Sequence, residues 1–404
     1  TIKSLQLVAP DLLADLQELA RRGQVVFVGC QYAASHAICC DAETDVQAAR
    51  LTVEMIRHEL GAEPTGFFPQ EIVCHPQTPW VMNQIGARWL VIGERNWTRP
   101  KRLIGLDGSE VVGIPFNHAH RPIGALEQSF AECGEGDLLV MGGDFEMLGD
   151  VDALVAEVER LRAKGNTLQF TTFDRYLDHQ AVQEQVRIES CFGYQPEDAA
   201  HSPSFSRWTA DPRDIEVHSH ARRAMATVRT ASLMAAIARL LWQVEADRPF
   251  TPASATVPDN RWSADFEGPE DFPEVAARYL SNQGQPALLS EAWHQLLVGV
   301  NSDARGWYPL EARRRHRVAC LEKASALAEA VRRNALAALA RRLAPVPAPR
   351  DATHHLLLCN LTPASACRVT LPVTQPMKML DADGRTIPCE TRAQAGLLFL
   401  DARL

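Results

Sequence analysis

Apolar and polar positions alternate between residues 11 and 171 in a way that predicts short buried strands separated by amphipathic helices. Compact apolar or β-branched runs predict strands at 24–29, 66–68, 89–92, 111–115, 138–141 and 167–171. Apolar residues at helical spacing predict helices at 11–22, 45–60, 76–85, 126–132 and 151–164. Strands and helices that alternate with short links are typical of a parallel sheet with helices outside it.

The number of strands bears on the architecture of this first part of the chain. About six or seven strands suit a closed sheet, so we predict a (β/α)7-type distorted barrel, although periodicity alone leaves closure open. Functional groups in such a barrel collect where the strands end. Catalytic and binding residues are therefore expected directly after the predicted strands.

The pattern changes beyond Tyr176. Long Ala-, Leu- and Arg-rich runs predict helices at 221–246, 273–280, 288–300 and 310–343, which we expect to form a helical bundle. Within this bundle, the basic run Arg313–Arg315 is interpreted as a solvated helix face. A Pro-rich linker at 344–350 precedes short strands at 355–360, 368–372 and 396–400, which indicate a small β element. The predicted domains are 1–178 (barrel catalytic domain, expected to lack its first strand), 179–343 (helical, contributing to the active site) and 351–404 (β).

Composition restricts the class of protein. The 404 residues, 46% hydrophobic and 23% charged, are typical of a globular protein of two or three domains. A net charge of −9 argues against a nucleic-acid partner. The sequence shows neither an apolar run long enough to span a membrane nor a signal peptide, so we expect no membrane partner and a cytoplasmic location. The ten cysteines lack Cys-x-x-Cys spacing, and we expect thiols and no metal or other cofactor.

Two acidic residues stand at predicted strand ends. Glu71 lies in the largely apolar stretch 65–76, and Asp144 follows the apolar run 137–141. A retaining glycosidase needs two carboxyl groups about 5–5.5 Å apart, one as nucleophile and one as acid and base. Neighbouring strand ends of a barrel would provide that separation, which makes Glu71 and Asp144 candidate catalytic residues. Glu146 is an alternative acid.

Other residues at strand ends are candidates for binding a sugar. Aromatic rings offer flat faces to sugar C–H groups, and imidazoles donate hydrogen bonds to hydroxyls. The candidates are Trp97, Trp208, Trp307, His36 and His118. Structural interpretations stay open: Glu71 as a salt-bridged acid at a strand end, and Asp144 as a helix N-cap, for which Asp150 competes.

Four segments together resemble glycoside hydrolase family 57. Residues 65–71, Thr-Gly-Phe-Phe-Pro-Gln-Glu, resemble the segment that carries the family's nucleophilic glutamate, and 143–149 is similar to its Asp-Gly-Glu-x-Phe-Gly segment with the general acid and base. Residues 301–307 resemble the Ser-Asp and Trp segment that the family's helical region contributes to the sugar site. Residues 29–36 resemble its second strand end.

The resemblance implies function and site residues. It implies a retaining, metal-independent glycoside hydrolase or glycosyl-transferring enzyme acting on an oligo- or polysaccharide with α-linkages. Glu71 would be the nucleophile and Asp144 the general acid and base, with Glu146, Asp303 and Trp307 among the substrate-binding residues. For Asp303, capping the helix that begins near Pro309 remains the structural alternative.

The sequence departs from the family at two places, which leaves other functions open. Nothing before Gln24 supplies the family's usual first strand with its His-x-Pro segment, and Phe68 stands where the family commonly has Trp. One alternative is a metal-dependent deacetylase in which the 117–120 segment and Asp144 bind a metal. The other is a glycan-binding barrel without turnover, or a subunit whose site is completed by a partner or by a second copy of this chain.

Overall fold

A computed structural model describes most of the chain. The described residues are 2–94, 96–119, 126–142, 151–165, 169–189, 211–243, 287–302, 311–342, 368–373, 379–380, 385–394 and 397–403. Their helices are α1 (Ile2–Val8), α2 (Pro10–Arg21), α3 (Ala42–Leu60), α4 (Thr78–Ile85), α5 (Leu126–Ala131), α6 (Val151–Ala163), α7 (Phe173–His179), α8 (Pro212–Gln243), α9 (Ala287–Gly299) and α10 (Glu311–Arg342).

The strands form one larger sheet and three small ones. They are β1 (Gly66–Phe67), β2 (Trp89–Ile92), β3 (Lys101–Ile104), β4 (Glu110–Pro115), β5 (His118–Ala119), β6 (Met141–Gly142), β7 (Gln185–Arg187), β8 (Arg368–Val373), β9 (Met379–Leu380), β10 (Thr386–Ile387), β11 (Cys389–Gln394) and β12 (Leu397–Arg403). The larger sheet has the order β1-β2-β4-β3-β7. All its pairs are parallel except β3 with β4. A separate parallel pair joins β5 and β6.

The prediction of an α/β fold with a mainly parallel sheet is confirmed. The predicted strand 24–29 is reduced to a single parallel bridge between Gly29 and Phe67. Strand β3, which sequence reasoning missed because it begins with Lys101 and Arg102, forms a hairpin with β4. Residues 169–171 contain no strand, contrary to the prediction for 167–171. Closure of the sheet into a seven-stranded barrel stays a prediction.

Strand β2 shows why the centre of this sheet is stable. All four of its residues are buried, with Trp89 and Val91 packed in one apolar cluster and Leu90 and Ile92 in another. Successive side chains of a strand point to opposite faces, so the two clusters lie on the two faces of the sheet. A strand covered on both faces is typical of parallel sheets, and this explains the continuous apolar run Trp-Leu-Val-Ile.

The glycine that opens β1 permits a close contact with β2. A Cβ atom added to Gly66 would lie 2.2 Å from the Trp89 ring. Helix α3, which precedes β1, begins at the N-cap Asp41, whose carboxylate accepts a hydrogen bond from the Thr44 N–H at 2.9 Å. The helix ends at Gly61 in the left-handed region. These signals explain why the prediction for residues 45–60 was close.

The predicted helical and C-terminal β elements are also present in the described residues. Helices α8, α9 and α10 coincide largely with three predicted helices, and β8 and β12 coincide with two predicted strands. Strands β11, β12 and β8 form an antiparallel sheet in that order. The predicted elements at 273–280 and 355–360 lie outside the described residues.

Arg314 corrects one prediction in the helical region. Its side chain is buried rather than solvated, because its Nη2 atom lies 3.1 Å from Asp211 Oδ2 and 3.3 Å from Asp214 Oδ1 at the start of α8. Arg313 and Arg315 on either side are exposed, as expected. A charged run in a sequence does not reveal that one member is turned inward to carboxylates distant in the chain.

The chain divides into two compact units. One comprises Thr1–Arg229 and Val257–Ala328, and the other comprises Thr230–Thr256 and Glu329–Leu404. The candidate site lies in the first unit. The division into 1–178, 179–343 and 351–404 stays a prediction. Within the described residues, no helix combines the length and apolar character that crossing a membrane requires.

Candidate active site

Glu71 lies in a strained turn directly after β1. The one-turn 3-10 helix Gln70–Ile72 follows Pro69, and both Glu71 (φ 56°) and Ile72 (φ 51°) adopt left-handed backbone conformations. For residues other than glycine such conformations cost about 1–3 kcal/mol each, and for a β-branched residue they are true outliers. Strain of this kind occurs preferentially where a side chain must be directed for function.

Buried neighbours hold the strained turn in place. The Ile72 side chain is buried with Trp89 and Val91 in the apolar cluster on one face of the sheet. Val73 is also buried, and the backbone N–H of Ile72 donates to the Pro69 carbonyl at 2.8 Å. The turn therefore cannot relax without exposing Ile72. Glu71 itself is half-buried at the end of β1, the position that the sequence predicted.

A second turn of the same conformation follows the Gly29 bridge. In the 3-10 helix Tyr32–Ala34, Ala33 and Ala34 have φ values of 53° and 51°. The chain after this turn pairs with the residues that follow α9: Ser35 forms a bridge with Asn301, whose side-chain amide donates to the Ala33 carbonyl. The second strand end and the helical region thus meet as the resemblance implied.

Hydrogen bonds connect these segments to Glu71. The Gln31 Oε1 atom accepts from the backbone N–H of Gln70 at 2.7 Å. The Gln70 side chain donates to Glu71 Oε1 at 3.3 Å and to Ser302 Oγ at 3.2 Å. Three of the four segments that carry the family resemblance therefore converge on Glu71.

The segment before Asp144 approaches from the other side. Strand β6, two residues short of Asp144, pairs with β5 in the register His118 to Met141. The Phe116 ring lies edge-on to the Phe68 ring, with centroids 5.8 Å apart. A Cβ atom added to Gly142 would lie 2.7 Å from the Phe116 ring. Phe116 thus contacts both the chain that leads to Glu71 and the chain that leads to Asp144.

The strands that carry the two acids are not adjacent, which corrects the expectation of neighbouring strand ends. Strand β1 pairs with β2, β2 pairs with β4, and β6 pairs with β5, the continuation of β4. Along this order, β2 and the strand formed by β4 and β5 lie between β1 and β6. The carboxyl separation of about 5–5.5 Å stays a prediction.

Of the other predicted site residues, some have side chains that the structure describes and the rest do not. His36 is fully buried beside the end of α9, where its backbone N–H donates to the Val300 carbonyl at 3.3 Å. Trp97 is partly buried against the sheet, and Lys101 Nζ lies 4.5 Å from its ring centroid. His118 lies in β5, but its side chain is outside the described residues. Also outside them are Asp144, Glu146, Trp208, Asp303 and Trp307.

Several polar residues linked to the Glu71 turn were not predicted individually as site residues, although three of them lie in the segments that carry the family resemblance. They are Gln31, Asp45, Gln70, His75 and Ser302. Asp45 is only 2% exposed although it occupies the first turn of α3, where an acidic residue is ordinarily a solvated partner of the helix dipole. The one signal available in the sequence was its apolar surroundings, with Val46, Ala48 and Ala49 following it.

A buried aromatic pair supports the turn that carries Gln31. The Tyr32 hydroxyl lies 3.2 Å from His294 Nδ1, and the two rings meet edge-on at 5.9 Å. Burial raises the pKa of Tyr32 far above its usual value and lowers the pKa of His294. Both side chains are therefore neutral near pH 7, which suits a contact between the sheet and α9.

The described residues contain no group of three or more His, Cys, Asp or Glu side chains arranged to hold a metal ion. The predicted metal alternative involves residues 117–120 and Asp144, and of these residue 120 and Asp144 lie outside the described residues.

Comparison with known families finds a match over the first part of the chain. A strand-end glutamate in a mainly parallel α/β sheet, linked to a helical region, is an arrangement found in carbohydrate-active enzymes. Residues 1–119 match the family model described as Glycosyl hydrolase family 57. The resemblance to this family is thus confirmed, and the match includes Gln31, His36 and Glu71. Comparison with curated proteins gave no match.

Solved structures share the fold. An α-mannosidase from Enterococcus faecalis V583 is 14% identical with a TM-score of 0.58, and the match covers 99% of this chain and 47% of that one. A 4-alpha-glucanotransferase from Thermococcus litoralis is 15% identical with a TM-score of 0.50, covering 80% of this chain and 51% of that one. A Glycosyl Hydrolase Family 38 protein from Enterococcus faecalis is 13% identical with a TM-score of 0.52, covering 99% and 45%. The chain spans about half the length of these proteins.

Proposed function

We propose that this chain acts as a retaining glycoside hydrolase or glycosyl-transferring enzyme on an α-linked glycan. The family match over residues 1–119 supports a carbohydrate-active enzyme. The fold shared with a 4-alpha-glucanotransferase is compatible with an α-glucan as substrate. Glu71 is the proposed nucleophile, Asp144 the proposed general acid and base, and no metal takes part.

The strained backbone at Glu71 is the observation that carries this proposal. A merely structural acid at a strand end needs no left-handed conformation, because a solvated carboxylate is satisfied in many orientations. Here two consecutive residues, Glu71 and Ile72, keep such conformations. The Gln70 amide contacts the Glu71 carboxylate as well. A directed, half-buried carboxylate at a strand end is what a nucleophile attacking a fixed sugar carbon requires.

The proposed reaction has two steps. The Glu71 carboxylate attacks the anomeric carbon, the glycosidic C–O bond breaks, and the Asp144 proton moves to the leaving oxygen. A water molecule, or the hydroxyl of a second sugar, then attacks the glycosyl ester and gives its proton to Asp144, which releases Glu71 as a carboxylate. Water yields hydrolysis and a sugar hydroxyl yields transfer, with the anomeric configuration retained in both cases.

The remaining candidate residues are proposed to bind the sugar. Aromatic side chains would contact sugar C–H faces, and polar ones would exchange hydrogen bonds with hydroxyls. This set consists of His36, Trp97, His118, Glu146, Trp208, Asp303 and Trp307. For Trp97, the contact with Lys101 occupies one side of the ring, so a sugar would meet the remaining exposed part.

Turnover of α-glucans and aryl α-glycosides by the purified chain tests the proposal. Glu71→Gln keeps the size of the side chain and removes its nucleophilic charge, so activity should fall by about 10⁴-fold or more, as for loss of a catalytic nucleophile. Glu132→Gln, an exposed acid on the same unit, is the matched control and should retain wild-type activity. Equal activity in the two variants would contradict the role of Glu71.

Chemical trapping distinguishes the mechanism from its alternatives. A 5-fluoro-glycosyl fluoride should label the peptide that contains Glu71, and the first product formed should keep the anomeric configuration, as seen by NMR. Activity that disappears with EDTA and returns with a divalent metal would instead favour the metal-dependent deacetylase. Glycan binding that raises Tm without any turnover would favour the binding protein.

A further inference from the structure

A chain of buried polar contacts leads from the interior of the first unit to the turn that carries Glu71. Its hydrogen bonds run from Asp45 through Gln31 to the backbone of Gln70. His75 lies beside Asp45, with Nε2 3.7 Å from Oδ2, which is longer than a hydrogen bond. Asp45, Gln31 and His75 are all buried among apolar residues. Burial of polar groups is costly unless their hydrogen bonds are made, so a connected set of this kind holds its members in fixed orientations.

The orientation of the His75 ring is fixed at one of its two nitrogens. The backbone N–H of Gln77 donates to His75 Nδ1 at 3.2 Å, so that nitrogen must carry a lone pair. The other ring nitrogen, Nε2, lies 3.7 Å from Asp45 Oδ2. The backbone of the same residue is held by Thr78, whose hydroxyl accepts from the backbone N–H of His75 at 2.9 Å. The Nε2 side of the ring thus faces the Asp45 carboxylate.

The carboxylate of Asp45 determines how the Gln31 amide is turned. An ionised carboxylate only accepts hydrogen bonds, so the amide nitrogen of Gln31 must face it, and Nε2 lies 3.1 Å from Oδ1. The amide oxygen is thereby directed away from Asp45 to the backbone N–H of Gln70, at 2.7 Å. With the amide reversed, two oxygen atoms would face each other at Asp45, and two N–H groups would face each other at Gln70.

We infer that Gln31 is a positioning residue for Glu71, and that Asp45 sets its orientation. This inference rests on the proposed function of Glu71 as the nucleophile. The peptide that Gln31 holds begins the strained turn at Glu71, and the side chain of the same Gln70 contacts both the Glu71 carboxylate and Ser302. Gln31 therefore fixes the turn at its first residue, without contact to the sugar.

Reversing the polarity of the Gln31–Asp45 contact provides the test. Gln31→Glu places two carboxylates together, at positions 31 and 45. The double variant, Gln31→Glu with Asp45→Asn, exchanges the two groups. The amide at position 45 then donates to the carboxylate at position 31, which still accepts from the Gln70 N–H. We expect the single variant to lower kcat about 10–100-fold with little change in KM, since misplacing a reacting group by about 1 Å has effects of that size. The double variant should recover most of the loss.

Amide hydrogen exchange at Gln70 provides a readout that does not depend on turnover. Exchange should be slow in the wild type, faster in Gln31→Glu and slow again in the double variant. Should Gln31→Glu fail to fold, Gln31→Met removes the acceptor at nearly constant size and should show the same rapid exchange at Gln70 and the same loss in kcat. The matched control is Gln84→Glu at an exposed position on α4, which should change neither property.

The outcomes separate the positioning role from the proposed function. A wild type that turns over no glycan contradicts the proposed function, whereas the exchange rates at Gln70 still decide whether Gln31 holds the turn. Unchanged exchange at Gln70 in both Gln31→Glu and Gln31→Met would overturn the inference. An equal loss of kcat in the single and double variants would also overturn it, because a purely structural defect is not repaired by exchanging the two groups.

Discussion

Asn117 joins the strand that leads to Asp144 to the rest of the sheet, and its replacement should destabilise the protein strongly. Its Nδ2 atom donates to the carbonyls of Trp97 at 2.9 Å and Leu138 at 2.8 Å. Its Oδ1 atom accepts from the Val140 N–H at 2.9 Å. One side chain, 8% exposed, thus satisfies three backbone groups on two segments that flank β5.

The magnitude follows from the burial of each contact. The bonds to Leu138 and Val140 are buried, and a buried backbone group left without its partner costs about 1–3 kcal/mol. The bond to Trp97 is only partly buried, so water can replace it and its loss adds about 1 kcal/mol or less. Asn117→Leu, which keeps a similar volume, should therefore lower the free energy of unfolding by at least about 2 kcal/mol, because each of the two buried groups contributes about 1–3 kcal/mol.

Urea unfolding followed by tryptophan fluorescence measures this loss. Asn83→Leu, at an exposed position on α4, is the matched control and should change the free energy of unfolding by less than about 0.5 kcal/mol. Asn117→Asp should be destabilising too, and more so as the pH rises, because the ionised carboxylate cannot donate to the two carbonyls. A loss below about 1 kcal/mol in Asn117→Leu would refute the inference that Asn117 satisfies buried backbone groups that nothing else can satisfy.

Three further substitutions test other parts of the structure by urea unfolding. Gly66→Ala places a Cβ atom 2.2 Å from the Trp89 ring and should cost about 1–3 kcal/mol or more through overpacking. Arg314→Met removes the guanidinium from the buried carboxylate of Asp214 and should cost about 3–5 kcal/mol. Burial lowers the pKa of His294, so wild-type stability should decrease as the pH falls below about 6.5, where the unfolded chain binds a proton that the folded state resists. His294→Asn should weaken this dependence, and the part that remains includes His316, whose pKa burial also lowers.

Each of these substitutions has a control of the same kind. Gly134→Ala meets only ordinary contacts with Asp137, Arg313→Met replaces an exposed arginine beside the buried one, and His179→Asn replaces an exposed histidine. All three should leave stability within about 0.5 kcal/mol of the wild type. A control that destabilises as much as its partner would contradict the contact in question.

The sequence predicted elements well where local chemistry decides them. Helix α3 has an N-cap at Asp41 and a stop at Gly61, and β2 is a run of apolar residues without interruption. Propensity and burial agree in these segments, and the predicted bounds are close to those observed. Strand β3 was missed because its first two residues are charged. Its pairing with β4 depends on a partner that the local pattern does not show.

The candidate site was predictable only in part. Glu71 was found because an acid stood at the end of an apolar run, which is a local signal. The contacts among Gln31, Asp45 and His75 were not predicted, because the fold brings these residues together from separate segments and none of them is unusual in its own neighbourhood. The burial of Arg314 escaped prediction for the same reason, since its partners lie about a hundred residues away.

The conformation of Glu71 illustrates why backbone strain is invisible in a sequence. Nothing in Pro-Gln-Glu-Ile-Val suggests left-handed residues, which ordinarily call for glycine. The two strained residues together cost about 2–6 kcal/mol, and full burial of an isoleucine side chain provides about 1.5–3 kcal/mol. Burial of Ile72 is therefore of the same order as the strain, and the buried Val73 and the Gln31 contact to Gln70 also stabilise the turn. The direction of the Glu71 carboxylate is thus set by the residues on either side of it.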